Sequence, residues 1–260
     1  MRQFELTCFG TRPGEGNPAL VLLDDTRGVA ERQHFAHASG RAACVFVDED
    51  GAAALTLDFY YPHARSPLCL HATLAAARVL LDMAPGSLTV RTALRGQRLV
   101  LRRRGDDVFI ELAPQPAPMP TLTAELVARL VPGIAVVSTP SIASVGSPKL
   151  LLEVRDAAAL QALRPDLAAI HAWGKETGIS GCYAWCRRAD GSLEGRNFNH
   201  LDPALEDSAT GVAAGALTVL LGQALTLYQG ANVGRPCLLR TSFDDGLVLL
   251  GGAAHYLQRD

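Results

Sequence analysis

The chain has 260 residues, 48% of them hydrophobic and 19% charged, with a formal net charge of −2. That is enough chain for one large or two modest cores, and too apolar a composition for a disordered or fibrous protein. With so little net charge there is no field to attract nucleic acid or an anionic membrane, and no apolar run is long enough to span a bilayer, so neither partner is expected.

In chain order, the alternation over Gln3–Phe9 predicts a strand with no apolar signal region before it, which points to the cytoplasm. A turn-rich loop over residues 10–18 and an apolar run over 19–23 predict an antiparallel hairpin. A helix is expected over 28–39, and strands over 43–47 and 54–60 around a turn at Asp48–Gly51. A second helix runs from about His71 to Met83, where Pro85-Gly86 stops it. Strands over 87–92, 97–101 and 107–112 complete a strand-rich half, and Arg102-Arg103-Arg104 reads as a solvated strand end. Proline at 114, 116, 118 and 120 forbids a helix and favours an extended linker. The lobes are therefore expected as 1–114 and 115–260, with the last strands able to pack back on the first lobe. The second lobe is expected to hold helices over 123–130, 157–163 and 165–173. Its strands are expected over 135–138 and 149–154, around a turn at 189–191, and over 236–240 and 247–252. The six cysteines, at 8, 44, 69, 182, 186 and 237, are scattered as reduced core thiols would be. No zinc spacing, P-loop or dinucleotide fingerprint is present, so neither metal nor cofactor is expected.

The chain is organised around the stretch from Glu206 to Gly215, where an acidic pair and small residues lead into an apolar run ending at Leu221. This predicts a loop entering a buried helix near Thr210 or Gly211. The first N–H groups of a helix lack intrahelical acceptors and its dipole is positive there, so this start can hold a carboxylate. Asp207 would either cap the helix or face the ligand. An echo lies upstream, since Ala76, Val79, Leu80 and Leu81 recur as Ala216, Val219, Leu220 and Leu221, 140 residues later. Gly16-Asn17-Pro18-Ala19-Leu20-Val21-Leu22 is matched in character by Gly146-Ser147-Pro148-Lys149-Leu150-Leu151-Leu152. Phe59-Tyr60-Tyr61-Pro62 corresponds loosely to Asn197-Phe198-Asn199-His200. Three parallels in one order predict a duplicated unit. The expected fold class is α+β, with two pseudo-symmetric lobes, each a curled, mostly antiparallel sheet around a central apolar helix, and two helix ends about one cleft.

These motifs, Gly16-Asn17-Pro18-Ala19, Pro67 to Ala76 and Glu206 to Gly215, resemble the phenazine-biosynthesis PhzF family, whose fold is that of diaminopimelate epimerase. The resemblance runs from the Gly16 loop to Gly251-Gly252-Ala253-Ala254. It implies cofactor-independent proton transfer on carbon, a homodimer, and a small carboxylate-bearing substrate derived from an amino acid, of dihydropyrrole carboxylate or dihydroanthranilate type, in secondary metabolism. By position it implies catalytic roles for His71 and Asp207, with Cys69 a weaker candidate, and substrate-lining positions at Asn17, Ala43, Cys44, Leu70, Thr210, Gly211 and Val212.

Four departures bear on mechanism. Ala43 stands where the family carries its acid/base glutamate, Leu70 where it carries glycine, Val212 where it carries serine, and Arg65 where it carries a further glutamate. His71, with an imidazole that titrates near neutrality, becomes the natural base, or else a core histidine. Asp207 would orient it or act on the substrate, and Arg65 would clamp a carboxylate or lie exposed on a loop. Diaminopimelate epimerase uses two facing thiols, and the place of the second matches Thr210, which disfavours a two-thiol racemase. Cys44 neighbours Ala43 but points to the other strand face. The readings left open are an isomerase moving a proton and a double bond, an epimerase, and a non-catalytic protein that keeps the ligand site.

Overall fold

The computed structural model describes residues 1–50, 54–199 and 206–257, and over these the chain is α+β, in two compact units. One unit is Met1–Leu112 with Gly251–Asp260, and the other is Ala113–Leu250. The expected turn at Asp48–Gly51 runs partly outside the described residues, as does the matched segment ending at His200.

In the first unit, β1 (Arg2–Phe9) and β2 (Gly16–Leu23) form the expected antiparallel hairpin, with Leu6 opposite Ala19. The second strand begins earlier than its apolar run because Gly16 takes a φ of 100°, and a Cβ there would lie 2.4 Å from the Cys8 carbonyl. Helix α1 (Val29–Ser39) leads to β3 (Cys44–Asp50), parallel to β2, and β4 (Ala54–Tyr61) returns antiparallel to β3. A short β5 (Ala64–Ser66) folds back on β4. Helix α2 (Leu70–Met83) follows, then β6 (Ser87–Thr92), parallel to β4, and the antiparallel β7 (Arg98–Arg104) and β8 (Asp107–Leu112).

Helix α2 is apolar on nearly every side and packs on β1, β2, β3, β7 and β8. Its side chains Leu74, Val79 and Leu81 are almost wholly buried, each contributing about 1.5–3 kcal/mol of burial. Helix α1 covers the opposite sheet face, where Leu20, Leu22, Ala36, Cys44, Phe46 and Tyr60 form one cluster.

The second unit runs α3 (Ala124–Leu130), β9 (Ser141–Ala143), β10 (Lys149–Glu153), α4 (Ala157–Ala162), α5 (Leu167–Thr177), β11 (Cys182–Arg187), β12 (Leu193–Phe198), α6 (Gly211–Leu221), β13 (Leu225–Gln229) and β14 (Cys237–Asp244). The chain continues as β15 (Leu247–Gly252) and ends in β16 (Ala254–Tyr256), which pairs antiparallel with β1. The strand expected over 135–138 is a single bridge between Val136 and Val154, because Gly133 and Pro140 bound a run too short for a ladder. Helix α6 is buried over its first eight residues except Val212, but Leu220 is 39% exposed, so the apolar run ends in solvent. Gly215 lets α6 approach closely, since a Cβ there would lie 2.6 Å from a Val145 methyl.

The duplication is visible in the pairing. The first unit joins β1, β2, β3, β4, β6 and β7 by antiparallel, parallel, antiparallel, parallel and antiparallel steps. The second joins β9, β10, β11, β12, β13 and β14 by the same steps in the same order. In each, the buried helix connects the fourth strand to the fifth. All six cysteines are buried, and Cys182 and Cys186 share the apolar face covered by α3, α4 and α5.

Candidate functional site

Each unit gathers polar groups at the start of its buried helix. In the first, Cys69 is the N-cap of α2, with extended backbone and no capping hydrogen bond from its side chain. Its sulfur lies 3.4 Å from Nδ1 and 3.8 Å from Nε2 of His71, the second residue of the helix. Burial pushes the Cys69 thiol up, but the His71 imidazole, by charge and hydrogen bond, and the Tyr61 hydroxyl outweigh it and hold the thiol below its ordinary range. Tyr61 comes from the end of β4, so strand and helix meet at the sulfur. A thiol so lowered, with an imidazole in contact, has the composition an acid/base pair needs.

The other residues of this half separate into two groups. Leu70 is buried as the first residue of α2, and Asn17 is buried on β2, opposite Cys8. Ala43 is buried and its carbonyl accepts from the Leu20 N–H at 3.0 Å, so its methyl brings no ionisable group. Cys44 faces α1, with the Ser39 hydroxyl 3.6 Å from its sulfur, and burial raises its pKa; it is a core thiol rather than a lining one.

Arg65 is neither an exposed loop residue nor a free clamp. It lies on β5, where its Nε donates to Asp58 at 2.7 Å. Asp58 also pairs with the buried Arg32, which holds Asp48 through two hydrogen bonds of 2.6 and 2.7 Å. A positive charge at 65 is satisfied inside this ion network, which the sequence reading missed because its members come from α1, β3, β4 and β5.

In the second unit, the N-cap of α6 is Thr210, again without a capping hydrogen bond from its side chain, so Asp207 is not the cap. Asp207 Oδ2 accepts from Asn197 Nδ2 at 3.0 Å and from the Thr210 hydroxyl at 3.3 Å. Gln229 of β13 ties the loop down. Its Nε2 donates to the Asp207 carbonyl and to Thr210 Oγ1, and its Oε1 accepts from the Thr210 N–H and the Tyr183 hydroxyl. Glu206 turns away and forms a fork with Arg196, at 3.0 and 2.8 Å. Gly211 is the first helical residue, and Val212, beside it, is half-buried. Asn197, Tyr183, Gln229 and Tyr61 had no local signal, although Tyr61 and Asn197 sit in the two segments matched as a repeat.

One group in this half stands out. Lys149, on β10, is 1% exposed, and its ammonium donates to the Ser180 carbonyl. Burial pushes its pKa down to about 8, against the opposing pull of Asp207 and, more weakly, of Cys182.

The fold is thus a duplicated α+β unit, each copy wound about a buried helix whose start gathers polar side chains. Comparison with known proteins gives the family. The family described as phenazine biosynthesis-like protein, PhzC-PhzF, matches residues 6–258, and the chain belongs to it. An isomerase of Escherichia coli K12 named "Uncharacterized isomerase YddE" is 26% identical over 247 residues, spanning 88% of this chain and 82% of its own. The trans-2,3-dihydro-3-hydroxyanthranilate isomerase of Pseudomonas chlororaphis is 28% identical over 251 residues, spanning 90% and 87%. The solved structure of "a Predicted Epimerase PA4716 from Pseudomonas aeruginosa" matches with a TM-score of 0.77 and 26% identity, covering 100% of this chain and 98% of that one. No helix among the described residues is long and apolar enough to cross a membrane.

Proposed function

We propose that this protein moves a proton, and with it a double bond, within a small carboxylate-bearing metabolite derived from an amino acid, without a cofactor, and that Cys69 and His71 do the work of the glutamate missing at Ala43. The observation that carries this reading is the 3.4 Å contact between the Cys69 sulfur and the His71 ring at the start of α2. A thiolate can take a proton from a carbon made acidic by conjugation, and the neighbouring imidazole can return one at the far end of the conjugated system. The proton leaves one carbon, the double bond shifts, and a proton is restored on another, so no oxidant or reductant is consumed. The start of a buried helix can supply N–H donors for a substrate carboxylate. A dihydroanthranilate or dihydropyrrole carboxylate fits these needs, the first being the substrate type named for the Pseudomonas chlororaphis relative.

A second reading, a ligand-binding protein without turnover, is favoured by the buried methyl at Ala43 and the apolar side chain at Val212. Proton NMR in D₂O with a panel of dihydroanthranilates, dihydropyrrole-2-carboxylates and simple amino acids separates the two. Deuterium should enter carbon positions with the wild-type protein, and Cys69→Ser and His71→Ala should each slow that entry by roughly 10²-fold or more. Line broadening without exchange would favour the binder, and exchange undiminished in both variants would remove the pair from the mechanism.

A further inference from the structure

The sequence contains two lysines among its 24 basic residues, Lys149 and Lys175. Lys175 is exposed on α5, while Lys149 is 1% exposed at the start of β10. Lysine is almost never buried without a partner of opposite charge, because an ammonium loses its hydration on entering the interior.

The sheet register shows what Lys149 faces. Leu151 pairs with Tyr183 on β11, and Tyr183 with Asn197 on β12. Lys149 is two residues before Leu151, so Lys149, Tyr183 and Asn197 project from one face. The alternate residues Leu150, Leu152, Cys182, Ala184 and Phe198 form the apolar cluster on the other face. Asn197 is the residue that donates to the Asp207 carboxylate, and Tyr183 reaches Thr210 through Gln229. Lys149 therefore sits behind the group of donors that surrounds Asp207. Its ammonium has three N–H donors, and the acceptor it uses among the described residues is the Ser180 carbonyl. The charged or titratable groups acting on it are Asp207 and the Cys182 thiol on the adjoining strand, and Asp207 is the stronger.

We propose that Lys149 is the positioning residue for Asp207, a buried counter-charge that keeps this carboxylate ionised so that it serves as a hydrogen-bond acceptor and not as an acid. Asn197 and Thr210 act in the same sense, since both donate to the carboxylate and so favour its charged form. The proposal deepens the isomerase reading and rests on it for the relevance of Asp207 to a substrate. It leaves Asp207 to receive a donor group of a ligand, such as an ammonium, imine N–H or hydroxyl.

With only two lysines, the experiment is direct. Protein labelled with ¹³C at lysine Cε gives two resonances, and the exposed Lys175 serves as an internal reference. In the wild type the Lys149 signal should titrate well below the ordinary lysine range, and in Asp207→Asn it should move to still lower pH. Coupling is reciprocal. In protein labelled at aspartate Cγ, with Asp207 assigned by its loss in Asp207→Asn, the Asp207 midpoint should therefore rise in Lys149→Met and be restored by Lys149→Arg. A Lys149 midpoint indifferent to Asp207→Asn would overturn the proposal and leave Lys149 as a tie to Ser180 alone. The lysine titration also decides the matter if Lys149→Met does not fold. None of these readings requires turnover, so a failed isomerase assay leaves the coupling measurable. Conversely, an intact deuterium exchange with uncoupled titrations would sink only the role of Lys149. Where exchange is observed, Lys149→Met should shift the acid limb of its pH profile to higher pH, an effect that a merely structural tie would not produce.

Discussion

At Cys69 two opposing effects meet, and their balance decides the chemistry. Burial alone would keep the thiol protonated and inert, as it does at Cys182, whose pKa is raised to about 12, and as it does with help from Glu194 and Asp156 at Cys186, raised to about 11. Cys69 is as deeply buried, yet His71 and Tyr61 on its sulfur bring its pKa below the ordinary thiol value. The expected outcome is a step in ultraviolet thiolate absorbance below the usual thiol range, lost in Cys69→Ser and moved to higher pH in His71→Ala. The sign follows from the lowered pKa: the thiolate persists to lower pH than an ordinary thiol allows, and turnover that depends on it falls as pH drops through that midpoint. Cys44 does not contribute to the step, because its own pKa is raised. A step that survives in Cys69→Ser would detach the lowered thiol from this residue. Arg65 shows the same rule for a cation, since Asp58 at 2.7 Å meets its charge and the substitution costs the fold no unpaired group.

At the scale of elements, each buried helix has a strand ahead of it that supplies its polar partner. Strand β4 ends in Tyr61 for the Cys69 cap, and β12 carries Asn197 toward Asp207, just ahead of the Thr210 cap. The second arrangement depends on a glycine. A Cβ on Gly195 would lie 2.1 Å from the Tyr183 hydroxyl, the group that donates to Gln229. Gly195→Ala should therefore displace Tyr183 and cost about 1–3 kcal/mol in urea unfolding. Tyr183→Phe, which removes the hydroxyl without overlap, should cost only about 0.5–1.5 kcal/mol. Equal stability of Gly195→Ala and wild type would contradict the close approach. Much of this scale is legible in the sequence. Helices α2 and α6 announce themselves because an all-round apolar run with caps has few other solutions, and the start at Gly211 is set by the small residues there. Strands β5, β9 and β16 are not legible, because three residues carry no period. Nor are Gln229 and Lys149, whose partners Thr210 and Ser180 lie 19 and 31 residues away.

At the scale of the whole molecule, the repeated order of parallel and antiparallel steps explains why a faint sequence echo was informative. Packing constrains side-chain character at matched positions and leaves identity free to drift, so Gly16 to Leu22 and Gly146 to Leu152 kept their pattern more than their residues. The helix caps differ in chemistry, cysteine in one copy and threonine in the other. The first unit takes in strand β16 as well. Strand β16 pairs with β1, Leu6 opposite Tyr256 and Cys8 opposite Ala254. The Phe9 N–H donates to the Ala253 carbonyl at 2.8 Å, and the Tyr256 hydroxyl to Asp82 at 2.9 Å. Truncation after Gly252 would strip these partners and turn β1 into a bare edge. Amide hydrogen exchange should then accelerate across β1, most at Phe9, while β10, β11 and β12 keep their wild-type rates. Unchanged protection in β1 would mean that the terminal strand adds no stability to its unit, and equal acceleration in β11 would mean that the two units unfold as one cooperative body.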